Sequence, residues 1–119
     1  MPNYLDIAYP ICLDIPRQKK HVSMIFHKKQ LLAIGTNSFK THPQAKKIGY
    51  MYEEMHSELD AFTKISKEFK TKKLTLVNVR FNRYKELRMS KPCDLCQPWC
   101  EEIFNEIYYT TNDGMIQFK

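Results

Sequence analysis

Apolar and polar positions along this chain change between two periods, one typical of β-strands and one typical of α-helices. Five segments have the alternation or the β-branched composition of strands: 21–26, 31–35, 74–79, 107–110 and 115–118. A tight turn at 28–30 separates the first two segments, which predicts a hairpin. Asn112-Asp113-Gly114 is a strong turn signal before the last segment and favours an antiparallel final strand.

Helical spacing appears in three other places. Met55, Leu59, Phe62, Ile65 and Phe69 predict a helix over 55–69. A second long helix is predicted from Cys93 to about Asn105, and a first helix at 3–15 is expected to be broken by Pro10. Residues 36–55 are interpreted as a long loop, and 80–92 as a basic connection. Strands that alternate with helices predict an α/β layer fold with a mixed central sheet of four to five strands.

Composition limits the possible classes of protein. The 119 residues suffice for one domain, 1–119, and 43% hydrophobic and 13% aromatic residues indicate a folded chain. No apolar run approaches the length of a membrane span, and the first six residues lack the features of a secretory signal. We therefore expect no membrane partner and a cytoplasmic location, which would be the host cytoplasm for a viral protein. A net charge of +6 favours a polyanionic partner or a phosphate-bearing substrate.

The most informative residues are His56-Ser57-Glu58 and Pro92-Cys93-Asp94-Leu95-Cys96. In a cytosolic protein, a C-x-x-C pair with a distant His is interpreted as a metal site and not as a disulfide. His56, Cys93 and Cys96 are the predicted ligands, and three such ligands leave the fourth tetrahedral position of zinc open. The alternative is a histidine and two cysteines that merely pack.

At these residues the chain resembles the cytidine/deoxycytidylate deaminase superfamily, the zinc-dependent nucleobase deaminases. The resemblance spans about residues 21–114. Met55 to Phe62 is similar to the His-Ala-Glu helix of that family, with Ser57 at the usual alanine position, a change that we expect to matter little. Residues 88–93 and 107–114 are similar to small stand-alone deaminase-like proteins of phages and large viruses.

The resemblance implies a cytidine deaminase-like fold with one Zn²⁺ per chain at the N-termini of two helices. It also implies that Glu58 is the catalytic general acid–base of a hydrolase that converts cytosine to uracil. Adenine or guanine is the alternative base, because no residue decides between them. The implied substrate is a nucleoside, a nucleotide or a single-stranded polynucleotide.

The family pattern also implies substrate-binding residues. Gly35-Thr36-Asn37 is similar to the Gly-x-Asn at the end of the second strand of the family, which makes Asn37 a candidate for binding the sugar or the base. His42 and Arg88 are further candidates. The alternatives are an asparagine that caps the loop and a histidine that stabilises it.

A basic segment precedes the cysteine pair. Its cations alternate with Phe81 and Tyr84, a pattern that suits phosphate contacts and base stacking; the candidates are Arg80, Arg83, Lys85, Arg88 and Lys91. A solvated loop is the alternative. Trp99 is expected to pack under the site, with substrate stacking as the alternative. Cys12 and Cys100 are expected to be buried, although Cys100 could also compete as a ligand because it follows Cys96 by four residues.

Two other functions remain open at this point. The chain could be a non-enzymatic zinc module that binds nucleic acid, in which case Glu58 has no role. It could also be a relative that binds nucleotides without turnover. A homo-oligomer is possible in each case, because small members of the superfamily often pair to complete their sites.

Overall fold

A computed structural model describes residues 4–13, 20–36, 57–69, 72–82, 84, 86–92 and 96–119. Within these ranges the chain forms three helices and five strands. In chain order they are α1 Tyr4–Leu13, β1 Lys20–His27, β2 Gln30–Thr36, α2 Ser57–Thr63, β3 Thr75–Phe81, α3 Cys96–Ile103, β4 Glu106–Thr111 and β5 Gly114–Gln117.

The five strands form one mixed sheet in the order β2-β1-β3-β4-β5. β1 is antiparallel to both of its neighbours, β3 and β4 are parallel, and β5 returns antiparallel to β4. β2, β3 and β4 therefore run in one direction. This topology confirms the α/β class, the mixed sheet and the antiparallel final strand.

Both faces of the sheet are covered. On one face, α1 packs on a cluster that includes Val22, Met24 and Val79. On the other face, α2 and α3 pack on a cluster that includes Ile25, Leu76 and Ile107. The side chains alternate between these faces along each strand, as the pleat requires.

Helix α1 is continuous in spite of Pro10, so the expected break is wrong. Tyr4, Ala8 and Cys12 recur every fourth residue and are buried, whereas Pro10 is exposed. Packing of this apolar stripe offsets the cost of a proline inside a helix, which is about 3 kcal/mol. The burial of Cys12 and Cys100 agrees with their predicted packing role.

Helix α2 is shorter than predicted, because it ends at Thr63 and not near Phe69. The Thr63 hydroxyl donates to the backbone oxygen of Asp60 at 2.8 Å, and Lys64 N donates instead to Ala61 O at 3.1 Å. A threonine hydroxyl that competes for a backbone carbonyl in this way weakens a helix. The residues that follow form turns, although Ile65 and Phe69 still pack on the sheet.

Two other segments can be compared with the predicted secondary structure. Helix α3 begins at Cys96 and ends at Ile103, two residues before the predicted end. Of the predicted loop at 36–55, Thr36 belongs to β2 and the remainder lies outside the described residues. No helix among the described residues is long and apolar enough to cross a membrane.

Candidate functional site

A row of three small or polar residues crosses the sheet under helix α2. Ser23 of β1 is the register partner of Gly35 on one side and of Asn78 on the other. A Cβ on Gly35 would overlap Ser57 O and Ala61 N and would lie 2.9 Å from Ala61 Cα. Glycine at this position therefore allows the first turn of α2 to approach the sheet closely.

Glu58 occupies that first turn and is almost completely buried, with 1% of its surface exposed. Its Oε1 accepts a hydrogen bond of 2.8 Å from Asn78 Nδ2. Its Oε2 is also buried and has no hydrogen-bond partner within the described part of the chain. A buried carboxylate oxygen without a partner is rare, because its desolvation is not compensated.

Asn78 is fully buried, and its side chain is held from three directions. Nδ2 donates to Glu58 Oε1 and to Ser90 O, the latter at 3.1 Å. Oδ1 accepts from the Ser23 hydroxyl at 2.6 Å. Since two of these partners can only accept and the serine can donate, the orientation of the amide is determined by chemistry.

The network continues to Ser57. Its hydroxyl lies 2.8 Å from that of Ser23. Because the only hydrogen of the Ser23 hydroxyl is used on Asn78, Ser57 is the donor in this pair. The expectation that Ser57 changes little does not hold for the packing, because an alanine there would leave Ser23 without this donor.

His21 approaches the same carboxylate from β1. Its Nε2 lies 3.7 Å from Glu58 Oε1, and 21% of its side chain is exposed. The two groups form an ion pair when the imidazole is protonated. Glu58 therefore has an amide on one side and a titratable ring on another.

Helices α2 and α3 lie side by side on this face. The rings of Phe62 and Trp99 pack edge to face with centroids 5.3 Å apart, and Trp99 also contacts Phe104. These contacts confirm that Trp99 packs. Phe62 is one turn after Glu58, and Trp99 is about one turn after Cys96, which begins α3.

The direction of α3 follows from the topology. At the end of α3, Asn105 N bonds Leu74 O beside the start of β3, so α3 runs against β3. Glu58 meets Asn78 at the middle of β3.

The predicted zinc ligands fall mostly outside the described residues. His56 and Cys93 are not among them, and Cys96 is described by its backbone at the first position of α3. The described ranges contain no group of three metal-ligating side chains. Two observations nevertheless fit a zinc ion here. Glu58, whose Oε2 has no hydrogen-bond partner in the described ranges, follows His56 by two residues, and Cys96 begins the helix that packs beside α2.

The predicted substrate residues divide in the same way. Asn37, His42, Arg83 and Lys85 lie outside the described residues. Arg88 donates from Nη1 to Leu87 O at 2.9 Å and from Nη2 to Glu86 Oε1 at 3.2 Å. A guanidinium held in this way is partly neutralised before any phosphate binds.

The basic connection contains a short hairpin. Phe81 forms an antiparallel bridge with Leu87, and Asn82 N bonds Glu86 O at 3.0 Å. The Asn82 side chain donates a hydrogen bond to Glu86 Oε1. This hydrogen bond and the positive charge of Arg88 lower the pKa of the Glu86 carboxyl. These contacts hold residues 81–82 against residues 86–87.

The other two described cations lie on either side of this hairpin in sequence. Arg80 Nη1 contacts Met89 O at 3.4 Å. Lys91 is exposed, and its Nζ lies 4.9 Å from the ring centroid of Phe118. Because the side chain is exposed, a phosphate can reach the amine of Lys91.

Sequence reasoning did not find the residues around Glu58. Ser23, Asn78 and Ser90 were not predicted as site residues, although each is buried. The signal was present in the strand pattern, because Asn78 interrupts the apolar run of β3 and Ser23 interrupts that of β1. A polar residue at a buried strand position is more informative than the apolar residues around it.

No family model matches the chain, and comparison with curated proteins and with solved structures also gave no match.

Proposed function

We propose that the chain is a zinc-dependent hydrolytic deaminase of a nucleobase, with Glu58 as its general acid–base. The observation that carries the proposal is the state of Glu58. It is buried, one of its oxygens is fixed by Asn78, and the other has no hydrogen-bond partner among the described residues. A cation or a reacting proton beside Oε2 would offset the cost of its desolvation.

The residues that would hold zinc are His56, Cys93 and Cys96, which provide nitrogen and sulfur ligands of the type that zinc prefers. Zinc bound by three protein ligands lowers the pKa of a bound water from 15.7 toward about 7. Glu58 is not needed as a fourth ligand. Its free oxygen can therefore exchange protons.

Glu58 performs the proton transfers of the proposed reaction. Oε2 accepts a proton from the attacking water and delivers it to the ring nitrogen of the base, and it passes the second proton to the departing amine. For cytosine, the C4–O bond forms and the C4–N bond breaks. One proton of the water ends on the ring nitrogen and the other on ammonia. Such acid–base help contributes about 10²–10⁴-fold.

Cytosine is proposed as the base because of the resemblance to the cytidine/deoxycytidylate deaminases. A phosphate-bearing substrate is proposed because of the net charge of +6 and the exposed Lys91. A single nucleotide needs one or two cations, whereas a polynucleotide needs an extended track. Arg80 and Arg88 already bond Met89 O and Glu86, which reduces the cations open to an extended track and favours the nucleotide.

The test is a substrate panel with two variants. Wild-type protein, Glu58→Gln and Glu102→Gln are incubated with nucleosides, nucleotides and single strands of cytosine, adenine and guanine, and products are identified by mass and ammonia release. We expect turnover by the wild type, loss of at least about 10²-fold in Glu58→Gln, and full activity in Glu102→Gln. Glu102 is a matched control because it is exposed on α3.

Zinc content is measured on the same samples. Stoichiometric zinc in all three proteins, with turnover lost only in Glu58→Gln, supports the proposal. Zinc without any turnover, together with single-strand binding that Glu58→Gln does not alter, would instead indicate a binding module. Protein that is purified under reducing conditions and does not take up zinc contradicts both interpretations.

A further inference from the structure

We infer that Asn78 is a positioning residue that joins Glu58 to the segment leading into Pro92-Cys93, and so aligns the two halves of the proposed zinc site. The inference rests on the proposed function. It concerns a residue in the middle of a strand, which the zinc and deaminase motifs do not include.

Asn78 donates both of its side-chain amide hydrogens. One is donated to Glu58 Oε1 at 2.8 Å, and the other to Ser90 O at 3.1 Å. Glu58 belongs to α2, whereas Ser90 precedes Cys93 by three residues. A single NH₂ group therefore spans the two segments that contain the predicted ligands.

Ser90 is attached to the sheet by its hydroxyl group. Its hydroxyl donates to Asn78 O at 2.8 Å and accepts from Thr110 N at 2.6 Å. Ser90 is 1% exposed. The segment before the cysteines is thus fixed to β3 and β4 at Ser90, and also at Arg88, which bonds Arg80 O and Thr110 Oγ1. The side chain of Asn78 connects Ser90 to Glu58.

The hydrogen bond from Asn78 also orients the carboxylate of Glu58. With Oε1 held by Asn78, the carboxylate cannot rotate about its own axis without breaking a buried hydrogen bond. Oε2 is then presented in one direction. Ser23 donates to Asn78 Oδ1 and prevents the amide itself from turning. Residues that orient a metal ligand or its carboxylate typically contribute 10–100-fold to metal affinity or activity.

Asn78→Asp tests this role with almost no change in shape. The carboxylate still accepts from Ser23, but it donates to neither Glu58 nor Ser90 and places a like charge beside Glu58. Tyr108→Phe is the control. It removes the hydrogen bond from the Tyr108 hydroxyl to Glu106 in the same sheet and leaves Asn78, Ser90 and Glu58 unchanged.

We expect Asn78→Asp to lower kcat by about 10–100-fold with KM little changed, and to lower zinc affinity in a chelator competition by a similar factor. Tyr108→Phe should stay within a few-fold of the wild type in both. Equal losses in the two variants would show a merely structural role and overturn the inference.

An independent measurement uses no activity. The Asn78 side-chain NH₂ signals in a ¹H–¹⁵N spectrum of the wild-type protein should exchange slowly, and in Glu58→Ala they should shift and exchange faster. Signals that Glu58→Ala leaves unchanged overturn the bridge. If the wild type turns over no substrate, the proposed deaminase function fails, while the spectrum and the zinc competition still decide whether Asn78 joins the two segments.

Discussion

Gly35 and Ala61 lie so close together that a methyl group on Gly35 would come within 2.9 Å of Ala61 Cα and would overlap its backbone nitrogen. The contact places β2 directly against the first turns of α2. Because the overlapping atoms belong to the backbone, they cannot move aside as the end of a side chain could. Gly35 therefore sets the height of Glu58 above the sheet.

Gly35→Ala should move α2 away from the sheet and lengthen the bond between Glu58 and Asn78. Overpacking of this kind costs about 1–3 kcal/mol, which urea denaturation would measure. We also expect loss of activity to exceed what the loss of stability explains, because Glu58 itself is displaced.

Gly114→Ala is the comparison for that variant. Gly114 has a φ of 147°, and a Cβ there would meet no atom within 4 Å. Its substitution should destabilise the chain through backbone strain alone and leave the Glu58 site intact. Normal activity and stability in Gly35→Ala would contradict the role of the close approach.

Asp60 fixes the end of β2, where the predicted substrate residue Asn37 follows. Its Oδ2 accepts from Thr36 N at 3.0 Å and from Lys64 Nζ at 3.1 Å. Its side chain is 22% exposed, whereas that of Lys64 is 53% exposed. Asp60 is thus the more consequential partner of the pair.

Asp60→Ala should lower the free energy of unfolding by about 1.5–3 kcal/mol, because it leaves a backbone N–H without its charged acceptor. Lys64→Met should cost less than about 1 kcal/mol, as exposed ion pairs do. Lys67→Met, which changes another exposed lysine, should have no measurable effect. Equal losses in Asp60→Ala and Lys67→Met would rule out this anchoring role.

The strands were predictable from the sequence because burial on one or both faces sets their period. All five predicted strands are present, with ends that differ by one or two residues. Helix bounds were less predictable. Apolar spacing to Phe69 suggested a long α2, but the Thr63 hydroxyl competes locally for the Asp60 carbonyl. Periodicity reports which side chains are buried and does not report such competition.

The chemistry of the site was predictable only in part. Glu58 stands out because of its spacing from His56, a local signal. Its hydrogen bond with Asn78 joins residues that are twenty positions apart, one on α2 and one on β3. Ser23 and Asn78 are direct register partners, and this follows only from the pairing of β1 with β3. The hydrogen bond from Arg88 to Glu86 also depends on a hairpin, which the basic composition of residues 80–92 did not indicate.

Trp99 is the only tryptophan, so its fluorescence reports on the contact between α2 and α3. Its ring packs edge to face on Phe62. Phe62→Leu should lower the free energy of unfolding by about 0.5–1.5 kcal/mol beyond the loss of buried area and should shift Trp99 emission toward the red, because water gains access to the indole.

Phe69→Leu is the control for this effect. Phe69 packs at the other side of the same cluster, with its ring 5.8 Å from that of His27. Its substitution should also destabilise the fold but leave Trp99 emission unchanged. An equal red shift in both variants would mean that the emission reports general loosening and not the contact between the helices.

Because of Tyr108, the free energy of unfolding should fall as the pH rises through the alkaline range. Its hydroxyl donates to Glu106 Oε2 at 2.8 Å, and this hydrogen bond, burial and the negative charge of Glu106 raise the pKa of Tyr108 from 10.0 to about 12. Between these values the folded chain keeps a proton that the unfolded chain has lost. The contribution is therefore complete below pH 10 and disappears as the pH rises toward 12.

Urea denaturation from pH 9 to pH 12 would measure this dependence. The wild type should lose stability with pH more steeply than Tyr108→Phe, which has no proton to lose at this position. Glu106→Gln should lie between them, because a neutral acceptor still bonds the hydroxyl but no longer disfavours the phenolate by charge. Identical slopes in the wild type and Tyr108→Phe would contradict the raised pKa, since the remaining tyrosines are common to both proteins.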